Sequence, residues 1–228
     1  GVSAAICDVD EEHLKQAAER VGGTPFLCKD YRDLLDRNDI DAVTIGTPDH
    51  WHGLMCVHAC QAGKDVYVEK PACKTVEEGR AMVNAAKRYA RVVQVGSQGR
   101  STEAGFRACQ YIRNGNIGRV QKITCWHYEN PVGGWTPDSE PPTTLDWDKW
   151  IGPARWIPYN PDKVHFNFRW LLDFGGGQIR DRGAHVMSVA MWCMNSDHTG
   201  PVSVEATGEP PNTGIWDCPP QMEIKYIF

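Results

Sequence analysis

Between residues 2 and 95, short apolar runs alternate with stretches of helical periodicity, and this alternation constrains the fold more than any other feature of the chain. Runs at 2–7, 26–27, 42–46, 65–68 and 92–95 read as strands, and the segments 11–21, 31–37, 50–62 and 76–89 between them read as helices. Repetition of this kind means βαβ units around a parallel sheet, because parallel neighbours need a crossover long enough to hold a helix. Asp8-Val9-Asp10 and Thr75 offer helix starts, and Gly22 and Gly63 offer stops. After Ser97 the rhythm breaks. A helix at 102–113, a long β-branched and aromatic strand at 120–128, a Pro/Gly/Trp-rich loop at 130–142, a helix at 179–194 after Gly175-Gly176-Gly177, and strands at 202–206 and 222–227 predict a second domain of α+β type.

The expected architecture is α/β: a Rossmann-like doubly wound parallel sheet over 1–97, then an α+β substrate domain with a mainly antiparallel sheet over 98–228. In a dinucleotide-binding sheet the glycine-rich phosphate loop follows the first strand, and an acidic residue at the tip of the second strand takes the ribose hydroxyls. Asp8 fits that acidic position, and only seven residues precede it. The first strand and its loop are therefore expected to lie outside this sequence. The other end stops on Ile224-Lys225-Tyr226-Ile227-Phe228 within an apparent strand, so the chain reads as a fragment of a longer product. In the order 3-2-1-4-5 the missing strand is central and leaves its neighbours about 9–10 Å apart. The fragment is expected to be less stable than its parent and to bind dinucleotide less well. Asp8 favours NAD over NADP, since a 2′-phosphate would meet a carboxylate, although an arginine in the absent segment could reverse that preference.

Composition excludes several classes. A net charge of −5 without a basic stripe argues against nucleic acid, and no apolar stretch approaches the ~20 residues of a spanning helix. Nine cysteines, none in a Cys-x-x-Cys pair, read as reduced and mostly buried, and no residue set reads as a metal site. Trp126, Trp135, Trp147, Trp150, Trp156, Trp192 and Trp216 are each expected in the core, while Trp170 could offer a ring face to a ligand.

Three motifs carry the chemistry. Val66-Tyr67-Val68-Glu69-Lys70-Pro71 puts a lysine at the carboxyl end of an apolar strand, where open α/β sheets gather ligands. Gly46-Thr47-Pro48, with His50 and His52 behind it, ends the preceding strand. Asp181 and His185 stand at i and i+4, on one helix face. In this order, with Val95-Gly96, Trp147-Asp148-Lys149-Trp150-Ile151-Gly152-Pro153 and Arg169-Trp170, they resemble the glucose-fructose oxidoreductase/inositol dehydrogenase/rhizopine catabolism (Gfo/Idh/MocA) family of oxidoreductases over nearly the whole chain.

The resemblance implies hydride transfer between a secondary hydroxyl of a sugar or polyol and nicotinamide. It assigns Lys70 to stabilising charge on the reacting oxygen, His185 to proton transfer and Asp181 to orienting the imidazole. It sets Thr47, Pro48, His52 and the Glu69-Lys70 pair, with Asp8, against NAD, and Gln98 and Trp170 beside the nicotinamide or the sugar. The Lys70-Pro71 bond is expected to be cis. Read without the resemblance, Lys70 is a strand-end surface lysine, Asp181 and His185 an exposed acid-histidine pair or part of a metal site, His50-Trp51-His52 a first helical turn with Trp51 packed inward, and Gln98 and Trp170 domain-interface packing. Two other functions stay open: a glycoside hydrolase or lyase that keeps NAD and oxidises its sugar transiently, and a non-catalytic truncated homologue. A small carbohydrate is the expected partner, with neither nucleic acid nor membrane, and the resemblance implies a homo-oligomer for the full-length protein. The cytoplasm is the expected compartment, with an exported location as the alternative.

Overall fold

The computed structural model describes all residues from 1 to 228. The alternation of the first hundred residues resolves into β1 (Ala5–Cys7), α1 (Glu11–Val21), β2 (Phe26–Cys28), α2 (Tyr31–Leu35), β3 (Ala42–Ile45), α3 (Asp49–Gln61), β4 (Asp65–Glu69), α4 (Val76–Arg88) and β5 (Val93–Gly96), each on its predicted segment. The helix starts are chemically specified. Asp10 caps α1 by accepting from Glu12 N, and Thr75 and Glu78 close a capping box on α4, with Lys87 and Arg88 at the opposite end of the helix dipole.

Strands β1 and β2 pair in parallel, as do β3 and β4, and β5 flanks β4 on its other side. These strands form two sheets, β1-β2 and β3-β4-β5, in place of one. The break falls between β1 and β3, where the order 3-2-1-4-5 expects a further strand. Register sets Val43 beside Val66 and Ile45 beside Val68, so one face of the larger sheet is continuously apolar. Cys56, Ala59 and Cys60 of α3 and Met82 and Ala85 of α4 close that face into the principal core. Thr44, Tyr67 and Gln94 point to the opposite face and are exposed.

The chain divides into two compact units: residues 1–95 with 136–165, and residues 96–135 with 166–228. The strap 136–165 carries α6 (Trp147–Ile151) and is stitched to its unit by backbone bonds, Glu11 N to Thr144 O and Asp146 N to Val9 O, both 3.0 Å. Its aromatic residues account for part of the tryptophan content. Trp147 stacks on Trp150 at 4.9 Å and meets Tyr159 edge-on at 5.3 Å, and the Trp51 indole donates to Trp150 O. Trp147 and Trp150 are core residues, as expected. Trp126, Trp135 and Trp156 are not: they are 81%, 69% and 63% exposed.

The second unit holds α5 (Glu103–Arg113), α7 (Gly177–Cys193) and an antiparallel pair, β6 (Ser203–Thr207) with β7 (Glu223–Ile227). Helices α5 and α7 pack together through Cys109 and Cys193, and Arg100 ties the preceding 3-10 turn to α7 by donating to Ser188 Oγ and Ser188 O, each at 2.7 Å. The strand expected at 120–128 does not form, and those residues are largely exposed. β-branched and aromatic composition favours an extended chain, but a strand exists only when a neighbour takes its backbone hydrogen bonds, and this segment is paired with neither β6 nor β7. All nine cysteines are free and six are buried. Burial raises the Cys56 and Cys218 thiols to about 12, which keeps them from forming thiolate at neutral pH. Most of the cysteines are thus buried, as expected, and the one exposed thiol, Cys125, lies in the same unpaired segment. No helix is long and apolar enough to cross a membrane.

Candidate active site

In the first unit the predicted residues gather at the carboxyl ends of the parallel strands. Asp8 follows β1, Thr47 and Pro48 follow β3, and Glu69 and Lys70 lie at the end of β4. Asp8 is positioned by its own turn: its Oδ1 accepts from Asp10 N at 2.9 Å, and its backbone N–H donates to Cys28 O. Burial pushes its carboxyl above the ordinary carboxylate range, opposed by the Asp10 N–H and by nearby His13.

Thr47 Oγ1 is buried with no hydrogen-bond partner. A hydroxyl left so costs about 1–3 kcal/mol unless something satisfies it, and a ligand lying across the strand ends would do so. That orphaned hydroxyl, together with the half-buried Asp8 carboxylate, fits a dinucleotide at this edge.

The Lys70-Pro71 bond is cis, as expected. His52 is 1% exposed, with Nδ1 2.7 Å from Pro71 O and Nε2 2.8 Å from Thr47 O. Both ring nitrogens thus face backbone carbonyls, and the imidazole bridges the turn after β3 and the turn that carries Lys70. Its neighbours are also inward. His50 Nε2 lies 3.0 Å from Trp150 O, and Trp51 is buried.

In the second unit Asp181 and His185 lie on α7, both half-buried. The helix start is built by long-range contacts. Gly177 has φ +67, and a Cβ there would meet Asn130 Oδ1 at 2.5 Å. That same Asn130 oxygen accepts from Gln178 N at 2.6 Å, capping α7 from 48 residues upstream. Arg169 Nε pairs with Asp181 Oδ2 at 3.3 Å, while its guanidinium lies 3.9 Å from the Phe166 ring centroid. Asp181 was expected to serve His185, and the structure adds Arg169 as its ionic partner. Gln98 is exposed at the start of a 3-10 turn whose next residue, Gly99, packs on α7 so closely that a Cβ would stand 3.1 Å from Val189 Cγ2 and 3.7 Å from His185 O. Trp170 presents no free ring face. It is 6% exposed, packed against Phe166 and Trp216, and its carbonyl accepts from Asp217 N and Cys218 N, so it is a core residue.

One cluster escaped the sequence reading. Asp10, His13 and His165 bring one ligand atom each within 4.8 Å of one another, all in the first unit. Burial and the neighbouring His13 lower the His165 pKa, with Asp10 acting the other way. Asp10 caps α1 and His13 lies on it three residues on, which was legible; their meeting with His165, 152 residues beyond His13 (165 − 13), was not.

Comparison with known proteins adds an independent line. Residues 2–97 match the model of an oxidoreductase family described as an NAD-binding Rossmann fold, and residues 119–226 match the C-terminal alpha/beta domain of the same family. A levoglucosan dehydrogenase of Pseudarthrobacter phenanthrenivorans is 33% identical over 191 residues, 84% of this chain and 42% of that protein. A glycosyl hydrolase family 109 protein of Shewanella pealeana is 38% identical over 92 residues, 37% of this chain and 20% of that protein. Among solved structures, a levoglucosan dehydrogenase in complex with NADH and levoglucosan superposes with a TM-score of 0.66 at 26% identity, covering 98% of this chain and 54% of that one. The chain thus spans about half or less of the length of the relatives it matches. With both halves matched by models of one family, the chain belongs to the Gfo/Idh/MocA oxidoreductases.

Proposed function

We propose that this protein is an NAD-dependent oxidoreductase that moves hydride between a secondary hydroxyl of a sugar or polyol and nicotinamide, with residues 1–97 serving the cofactor and 98–228 the substrate. The observation that carries the reading is the succession of Asp8, Thr47 and Lys70 at the carboxyl ends of β1, β3 and β4. Ligands of open parallel sheets bind at those ends. NAD supplies the hydride acceptor. Asp8 accepts hydrogen bonds from the adenosine ribose, and Thr47 Oγ1 finds its partner in the dinucleotide.

Lys70 donates to the substrate oxygen and stabilises the negative charge that grows there as hydride leaves carbon. His185 takes the hydroxyl proton and returns it in the reverse direction. Asp181, anchored by Arg169, holds the helix face that presents His185. His52 keeps Lys70 in place through Pro71 O. The levoglucosan and NADH complexes of a relative support a pyranose-like substrate. In line with the family, the full-length protein is a homo-oligomer in this reading.

The test, made on the full-length protein, is an assay with NAD⁺ and a panel of levoglucosan, inositols and aldoses, preceded by denaturing the purified protein and measuring any nicotinamide released. NADH formed in proportion to sugar oxidised supports the proposal. Sugar cleavage without net NADH would move the assignment to an NAD-retaining glycosidase, a reading favoured by the family 109 match. Failure to bind NAD would leave a non-catalytic homologue.

A further inference from the structure

We propose that Asp10, His13 and His165 form a binding site for a divalent transition-metal ion, which clamps the end of the strap 136–165 to the start of α1. The three ligand atoms lie within 4.8 Å of one another. His165 Nε2 stands 3.6 Å from Asp10 Oδ2, close to the ~3.4 Å edge of a tetrahedron with metal-ligand distances of about 2.1 Å. The remaining closure, from at most 4.8 Å to ~3.4 Å, is a side-chain movement of about 1.4 Å, within reach of two imidazoles that are each 45% exposed.

The carboxylate is held in place for a second reason. Asp10 is 7% exposed, and its Oδ1 is committed to Glu12 N as the cap of α1. Its Oδ2 is not needed for the cap and faces His165. The cap thus orients a ligand, as outer hydrogen bonds do in metal sites generally. His13 is carried on the same helix three residues on, and its ring centroid lies 4.5 Å from that of His165. His165 itself sits at φ +51, a conformation that turns the chain where the strap ends.

Donor chemistry selects the ion. Two imidazoles and one carboxylate suit zinc, nickel, cobalt or copper, and not magnesium or calcium, which want an all-oxygen shell. Water completes the coordination. Because the ligands come from residues 10 to 13 and from 165, a bound ion closes a loop that nothing covalent closes. It therefore adds stability to the folded first unit. The site adjoins the proposed ribose ligand, His13 Nδ1 standing 4.0 Å from Asp8 Oδ2, but none of the three residues is given a part in hydride transfer.

The experiment is a cobalt titration of chelator-stripped protein at about pH 7.5, above the ordinary histidine range. One equivalent bound, d–d absorption of nitrogen and oxygen ligation, and a rise in melting temperature are expected. His13→Ala and His165→Ala should each weaken binding by about tenfold or more. Thiolate-to-cobalt charge transfer, which would mean that cysteines hold the ion, overturns the proposal. So does binding unchanged in both variants, or no binding at all. Should the variants fail to fold, the unaltered protein decides: zinc should protect His13 and His165, against the other histidines, from carbethoxylation mapped by mass spectrometry, and equal labelling with and without zinc refutes the site.

Discussion

The two units of this chain were built from the same kinds of sequence signal and came out differently. In residues 1–95 each strand finds a neighbour one helix away, and β4 buries Val66 and Val68 between β3 and β5. In residues 166–228 the only sheet is the pair β6-β7, and every residue of β6 is exposed. The segment 120–128, with as strong a strand composition as any in the first unit, forms none. A periodic pattern becomes a strand only where the fold supplies an edge to pair with and a face to bury.

The largest test of this contrast concerns chemistry, where both units are asked to contribute. Lys70→Ala in the first unit and His185→Ala in the second should each lower turnover by about 10²–10³-fold, with NAD affinity changed only a few-fold. Steady-state kinetics beside direct NAD binding checks this, and a loss confined to one variant would assign catalysis to that unit alone.

Stability should separate the units next. Met82→Ala opens the principal core and should cost about 2–5 kcal/mol in denaturant melts, whereas Val204→Ala on exposed β6 should stay within about 0.5 kcal/mol. Hydrogen exchange sharpens the same point: amides of β4 should be protected and those of 120–128 should exchange at near-unfolded rates. Thr75→Ala, which removes the capping box of α4, should cost about 1 kcal/mol.

A smaller effect follows from His58. Burial, then the charge of Arg32, lowers its pKa below the usual histidine value, while its Nδ1 is hydrogen-bonded to the Tyr31 hydroxyl at 2.7 Å. The folded state then binds fewer protons than the unfolded state. Stability is fully present above the unfolded pKa of about 6.5 and falls as pH drops through the lower folded value. Melting temperature should decline between about pH 7 and pH 5, and less so in His58→Gln.

Much of the first unit was legible because its determinants are local. Asp10 and Thr75 cap from adjacent residues, and the cis Lys70-Pro71 bond was suggested by the motif. The site was legible in part. Asp8, Thr47 and Lys70 fall at strand ends because strand ends can be counted. The inward turn of His52 and Trp170 could not be counted, since it depends on Pro71 O, Thr47 O and Trp216. A histidine or tryptophan in a motif shows the same letters whether it meets a ligand or the core.

By itself the sequence determined the order of helices and strands over residues 1–97, the caps that start them, the residues at the strand ends and the family, because each rests on neighbours within a few positions or on motif order. Only the tertiary structure decided that 136–165 packs with the first unit, that Asn130 caps α7, that Arg169 pairs with Asp181, that His165 joins Asp10 and His13, and that 120–128 stays unpaired. Those outcomes turn on which distant groups meet. A hydrogen bond or ion pair between residues 12 to 155 positions apart leaves no periodicity in the chain that makes it.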